Sequence, residues 1–165
     1  SDQSLKENIE VEDTNDVKGD VIEGIEYISN DNQGNIYIVK AKNGKNESEN
    51  TNLITLYNVE AILKFDKKEK ITVTSNKAIY NTVNNNTDFM NDVRVVYGKH
   101  NIFCEKIIAN FSENYAKLSE NLIYNNDLTK LYADQMEIDL FNRTSKTSMF
   151  NSKDKVKIIK KNGIN

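Results

Sequence analysis

One stretch of this chain recurs with a period of 29 residues, and that repeat constrains the fold more than any local propensity. Thr74-Ser75-Asn76-Lys77-Ala78-Ile79-Tyr80-Asn81 falls, one period on, over Phe103-Cys104-Glu105-Lys106-Ile107-Ile108-Ala109-Asn110, and one further period on over Tyr132-Ala133-Asp134-Gln135-Met136-Glu137-Ile138-Asp139. The same step carries Phe89 to Leu118, Val93 to Leu122 and Val95 to Tyr124. Apolar and polar residues alternate within each copy, which predicts strands. The alternation then slips. Val73 and Ser75, Ile102 and Cys104, and Leu131 and Ala133 share one face. The small or apolar set resumes three residues on, at Ala78 and Tyr80, at Ile107, Ala109 and Phe111, and at Met136, Ile138 and Leu140. A strand repeats its side chains every second residue, so a step of three reverses the faces unless a bulge or corner absorbs the extra residue. The polar pairs Asn76-Lys77, Glu105-Lys106 and Asp134-Gln135 mark that bend. Strands bent at one level and stacked side by side form a curved antiparallel sheet folded over a continuous apolar lining. The expected class is therefore all-β, a jelly roll or sandwich, without a long amphipathic helix.

Composition agrees with a strand-and-turn protein. The 165 residues suit one domain, and they include no proline and 26 asparagines. Asparagine accepts the left-handed backbone conformation and bonds its own main chain, so it closes turns. Turn signals stand at Asn32-Gln33-Gly34-Asn35, Asn43-Gly44, Asn84-Asn85-Asn86 and Asn125-Asn126-Asp127. The missing proline leaves the edges of an open sheet to be guarded by charge or to pair. Net charge is −3, which excludes a whole-surface footprint for nucleic acid. A single cysteine forms no internal disulfide and no cysteine-ligated zinc site. The ends differ in sign: Ser1 to Glu26 carries nine acids against Lys6 and Lys18, and Lys153 to Asn165 carries five lysines against Asp154. Both read as solvated tails. No run in the chain approaches the roughly 18 apolar residues of a membrane span.

The ordered series Gly34-x-x-Tyr37-x-Val39-x-Ala41, Leu56-x-Asn58-Val59, Ile71-x-Val73-x-Ser75-x-Lys77-Ala78-x-Tyr80 and Phe89-x-Asn91-Asp92-Val93-x-Val95 resembles the LptC family (YrbK). The LptA and OstA-like domains share its later part. The resemblance spans roughly Ile25 to Met149. It implies a twisted, boat-shaped antiparallel β-jelly roll in the periplasm, anchored to the inner membrane by an N-terminal helix removed ahead of Ser1. It further implies a relay, without enzymatic activity or cofactor, that takes lipopolysaccharide from the ATP-driven LptB, LptF and LptG transporter and passes it to LptA through edge-paired jelly rolls. On this reading residues 1–24 are an acidic tether, residues 25–160 the jelly roll and residues 161–165 a tail. A soluble LptA/OstA-like bridge and a purely structural β-repeat protein are the alternatives, and a fully packed interior would favour the latter.

Lipid carriage needs a trough whose walls shield acyl chains at about 0.8 kcal/mol per methylene. The repeat offers Val73, Ser75, Tyr80, Val95, Ile102, Cys104, Ile107, Ala109, Phe111, Leu122, Leu131, Ala133, Met136, Ile138 and Leu140 as the interior. Lys77, Arg94 and Lys106 are the expected rim cations for a phosphorylated lipid. Ile36, Tyr37, Ile38 and Val39 form the expected N-terminal edge, toward the transporter. Val156 and Ile158 form the C-terminal edge, toward LptA, with Lys155, Lys157 and Lys160 as candidate gatekeepers. No catalytic or metal-binding set stands out. His100, the only histidine, lies by the Gly98-Lys99 turn without a matched Ser or Cys, and Cys104 occupies the slot of Ser75 and Ala133.

Overall fold

The computed structural model describes residues 6–11, 21–142, 144–149 and 157–161. They form an all-β architecture: β1 (Lys6–Val11), β2 (Val21–Asn30), β3 (Ile36–Lys45), β4 (Leu53–Lys64), β5 (Ile71–Asn81), β6 (Thr87–Tyr97), β7 (His100–Asn110), β8 (Tyr115–Asn125), β9 (Thr129–Asp139), β10 (Thr144–Ser148) and β11 (Lys157–Lys160). β1 to β10 lie side by side in chain order in one antiparallel, unclosed sheet. β10 and β11 share the outer side of β9, opposite Gln135–Asp139 and Thr129–Tyr132 respectively. No helix among the described residues is long and apolar enough to cross a membrane.

The bend is built from left-handed residues in alternate strands. Gly24 in β2, Asn58 in β4, Asn91 and Asp92 in β6, and Glu120 and Asn121 in β8 all have positive φ. They stand opposite Lys42, Asn76, Glu105 and Asp134 of β3, β5, β7 and β9, where the pairing register skips or shifts. In β6 and β8 three residues separate buried Phe89 from Val93 and Leu118 from Leu122, whereas their partner strands use two. The difference of one residue is a bulge, and it turns both strands by the same corner. Asparagine and glycine dominate this row because they enter the left-handed region at least cost.

The bend does not interrupt the hydrogen-bonded ladder. β4 therefore runs through the bend as one strand of 12 residues, and β2 as one of 10. Asn43-Gly44, read as a turn, lies inside β3. A Cβ on Gly44 would come within 2.3 Å of Ile25 Cδ1 and 3.0 Å of Leu56 Cδ2, so this glycine serves close packing rather than chain reversal. The tether assignment also changes. Lys6–Val11 pairs with β2, and β2 begins at Val21, four residues before the expected domain start.

Each long strand is divided by the bend into two limbs. The β2–β3, β4–β5, β6–β7 and β8–β9 turns lie at the upper end of the sheet, and the β3–β4, β5–β6, β7–β8 and β9–β10 turns at the lower end. Upper limbs of the early strands fold onto lower limbs of the later ones. Tyr27 packs on Tyr80 and Tyr37 on Phe111, with ring centroids 4.7 and 4.5 Å apart. Ser29 Oγ donates to Asn85 Oδ1 at 2.7 Å, and the Tyr37 and Thr87 hydroxyls bond at 2.8 Å. Leu56, Phe89, Leu118 and Leu122 are at most 2 % exposed between the limbs, each contributing roughly 1.5–3 kcal/mol of burial. The early strands close one end of the fold, and the later strands diverge.

Candidate functional site

Where the limbs of β4 to β9 separate, they enclose a cavity of about 640 Å³. Its upper wall carries Ala61, Leu63, Phe65, Ile71, Val73, Val95, Tyr97, His100, Ile102, Tyr124 and Leu131. Its lower wall carries Phe89, Ile107, Ala109, Phe111, Ala116, Leu118, Met136, Ile138 and Leu140. Tyr37 closes the end toward the early strands, and Thr144, Ser145 and Thr147 of β10 form the margin at the other. Alternating strands place every second side chain inward, and the bend keeps that set on one concave surface. The result is an apolar trough with polar groups confined to its margins, a shape suited to alkyl chains.

Ten of the fifteen interior residues expected from the repeat line this cavity: Val73, Val95, Ile102, Ile107, Ala109, Phe111, Leu131, Met136, Ile138 and Leu140. Ser75, Tyr80, Cys104, Leu122 and Ala133 do not. All five are buried, but where the limbs converge. Ser75, Cys104 and Ala133 stand just before the bend in β5, β7 and β9. There the Ser75 hydroxyl donates to the Lys77 carbonyl at 2.9 Å and the Cys104 thiol to the Lys106 carbonyl at 3.6 Å, the same contact one repeat apart. Tyr80 faces Tyr27 and donates to Asn85 Oδ1. Leu122 and Ala133 border a separate outer groove beside Met149 and Lys157.

The expected rim cations are displaced for a related reason. Lys77 and Lys106 each immediately precede an inward residue, Ala78 or Ile107, so their side chains leave by the convex face. Arg94 stands over the Phe103 ring at 5.4 Å and pairs with exposed Asp92 at 3.3 Å. None of the three lines the cavity. The expected N-terminal edge is also overturned. Ile36, Tyr37, Ile38 and Val39 belong to β3, which is hydrogen-bonded to β2 on one side and β4 on the other, and Tyr37 and Val39 are core residues. At the other end of the sheet Ile158 does lie on a terminal strand, β11. Val156 lies outside the described residues.

Cys104 is buried, and removal from water pushes its thiol from 9.0 up to about 11. Between those values the unfolded chain releases the thiol proton while the folded chain keeps it. Its contribution to stability is therefore intact below pH 9.0 and declines as pH rises toward about 11. Denaturant midpoints measured across this window are expected to fall more steeply for the wild type than for Cys104→Ala. Parallel slopes would disprove the assignment. Burial also raises Tyr37, which acts in the same direction. A thiol held neutral in this way is a packing group rather than a nucleophile.

Residues from β4, such as Ala61, Leu63 and Phe65, were not legible as lining because the 29-residue repeat begins only with β5. His100, exposed beside the Gly98-Lys99 turn, also borders the cavity.

Two comparisons with known proteins bear on this cleft. No curated protein matches the chain. A family model described as "Lipopolysaccharide-assembly, LptC-related" matches residues 1–165, the whole sequence. The folded-over β-sheet with its apolar trough is the architecture expected of that family, and the chain belongs to the LptC-related lipopolysaccharide-assembly family, whose role is lipopolysaccharide transport.

Proposed function

We propose that this chain is a periplasmic, non-enzymatic relay that holds the acyl chains of lipopolysaccharide in the cleft between its limbs. It receives the lipid from the inner-membrane LptB, LptF and LptG transporter, whose ATPase supplies the energy, and delivers it to LptA. The observation that carries this reading is the cavity, which remains unfilled by side chains and is apolar except at its margins. A purely structural β-repeat would have packed that space, because an interior void forfeits dispersion contacts. The unclosed sheet supports edge pairing with both partners, through β1 at one end and through β10 and β11 at the other. The N-terminal membrane anchor belongs to the same proposal.

A photo-crosslinking amino acid at Ile107 or Ile138, both on the cavity wall, is expected to capture lipopolysaccharide in cells. The same group at Glu137, whose carboxylate accepts from Tyr115 Oη at 3.3 Å on the opposite face, is expected to capture none. Equal labelling at the three positions would sink the proposal.

A further inference from the structure

A lipid with a phosphorylated headgroup needs hydrogen-bond donors where the apolar trough ends, and the three expected lysine and arginine residues are not there. Among the described residues, His100 supplies the only side-chain nitrogen in the cavity lining. Its ring is fixed at the first residue of β7 by stacking on Tyr97, with centroids 6.0 Å apart, and on Tyr124, at 5.7 Å. One of its two nitrogens is already engaged. Nδ1 is hydrogen-bonded to Tyr124 Oη, which also accepts from Asn126 Nδ2 at 3.0 Å. Nε2 is left to meet a ligand, and it is a donor both in the imidazolium and in the tautomer whose Nδ1 accepts from the phenol. His100 is exposed and borders the cavity beside Tyr97 and Tyr124.

We infer that His100 Nε2–H is the headgroup donor of this cleft, binding a phosphate oxygen of an anionic amphiphile whose alkyl chain lies along the cavity. The inference rests on the lipid-carrier reading and adds an orientation to it: phosphate at the upper end, by the β6–β7 turn, and chain ends toward Phe111 and Ala116. The hydroxyls of Thr144, Ser145 and Thr147 mark the other polar margin, and they are the site this assignment rejects.

The full chain can be titrated with dodecyl phosphate and with dodecyl maltoside below their micelle concentrations, while the nitrogen resonances of the single histidine are followed. Dodecyl phosphate is expected to shift Nε2, and dodecyl maltoside is expected to leave it in place. His100→Ala should weaken dodecyl phosphate about tenfold, the size of one hydrogen bond to a charged group, and change dodecyl maltoside by no more than about twofold. Tyr124→Phe removes the hydroxyl bonded to Nδ1 and should shift the Nδ1 resonance while the chain remains folded. Equal losses for both amphiphiles, or an unmoved Nε2, would overturn the inference and leave the carrier reading intact. Failure of either amphiphile to protect a crosslinker at Ile107 would remove the carrier reading, and the inference with it. Displacement of dodecyl phosphate by inorganic phosphate at equal concentration would make a free anion the ligand and would also overturn it.

Discussion

Asn85→Ala is expected to cost about 3–4 kcal/mol of unfolding free energy, read from denaturant midpoints at constant slope. Asn85 is 3 % exposed in the β5–β6 turn, at the end of the fold where the limbs meet. Its side-chain oxygen accepts from Ser29 Oγ at 2.7 Å and from the Tyr80 hydroxyl, and its carbonyl accepts from Thr87 Oγ1 at 2.9 Å. Its φ is +65°, so the backbone is left-handed. Alanine removes the acceptor shared by two buried hydroxyls, a loss of about 1–3 kcal/mol, and adds roughly 1–2 kcal/mol of left-handed strain. The two causes can be separated. Asn85→Gly relieves the backbone alone and should recover about 1 kcal/mol. In a Ser29→Ala, Tyr80→Phe background the same Asn85→Ala change should cost markedly less, because the donors are gone. An Asn85→Ala protein within about 0.5 kcal/mol of wild type would show that this cluster does not hold the two limbs together.

Ile138→Glu is expected to reduce lipopolysaccharide capture at an Ile107 crosslinker at least tenfold in protein that remains folded. Ile138 sits on the lower wall in β9, half-buried, with its side chain toward the trough. A carboxylate there meets alkyl chain on one side and the apolar upper wall on the other. It must either desolvate, which costs several kcal/mol, or keep water in the cleft and exclude the lipid. Partial exposure of the position lets the empty protein tolerate the charge. Should that variant fail to fold, Ala116→Phe tests the same point by filling the cavity, and it too should abolish capture. The outward change Glu137→Gln should leave capture unaltered. Undiminished capture in folded Ile138→Glu or Ala116→Phe would place the lipid elsewhere.

Much of this arrangement is written in local sequence. Strand alternation, the step of three and the 29-residue period require nothing beyond neighbours along the chain, so they reveal the bend, the all-β class and most of the inward-facing set. They also identify the family, since the motifs that carry the resemblance are the bend residues and their inward neighbours. The excess of asparagine has a structural outlet in this bend, where Asn58, Asn91 and Asn121 adopt left-handed conformations. Periodicity alone, however, treats all inward positions alike.

Which inward residues are packed and which remain open depends on how far apart the two limbs lie at each strand, and that distance is set by contacts between residues up to 74 positions apart, such as Tyr37 with Phe111. Ser75, Cys104 and Ala133 share the repeat pattern of the lining, yet they fall where the limbs converge. The sheet edge is likewise a tertiary property: Ile36 to Val39 looks terminal in a list of motifs, and only the pairing of β1 and β2 makes it interior. His100 gained its place at the cavity mouth in the same way, through Tyr124, 24 residues away. The sequence by itself determined the strands, their bend and the face each side chain takes, because these follow from steric preferences within a few residues. The tertiary structure decided where that face becomes a cavity and which groups stand at its mouth, because those depend on the stagger with which distant strands fold over one another.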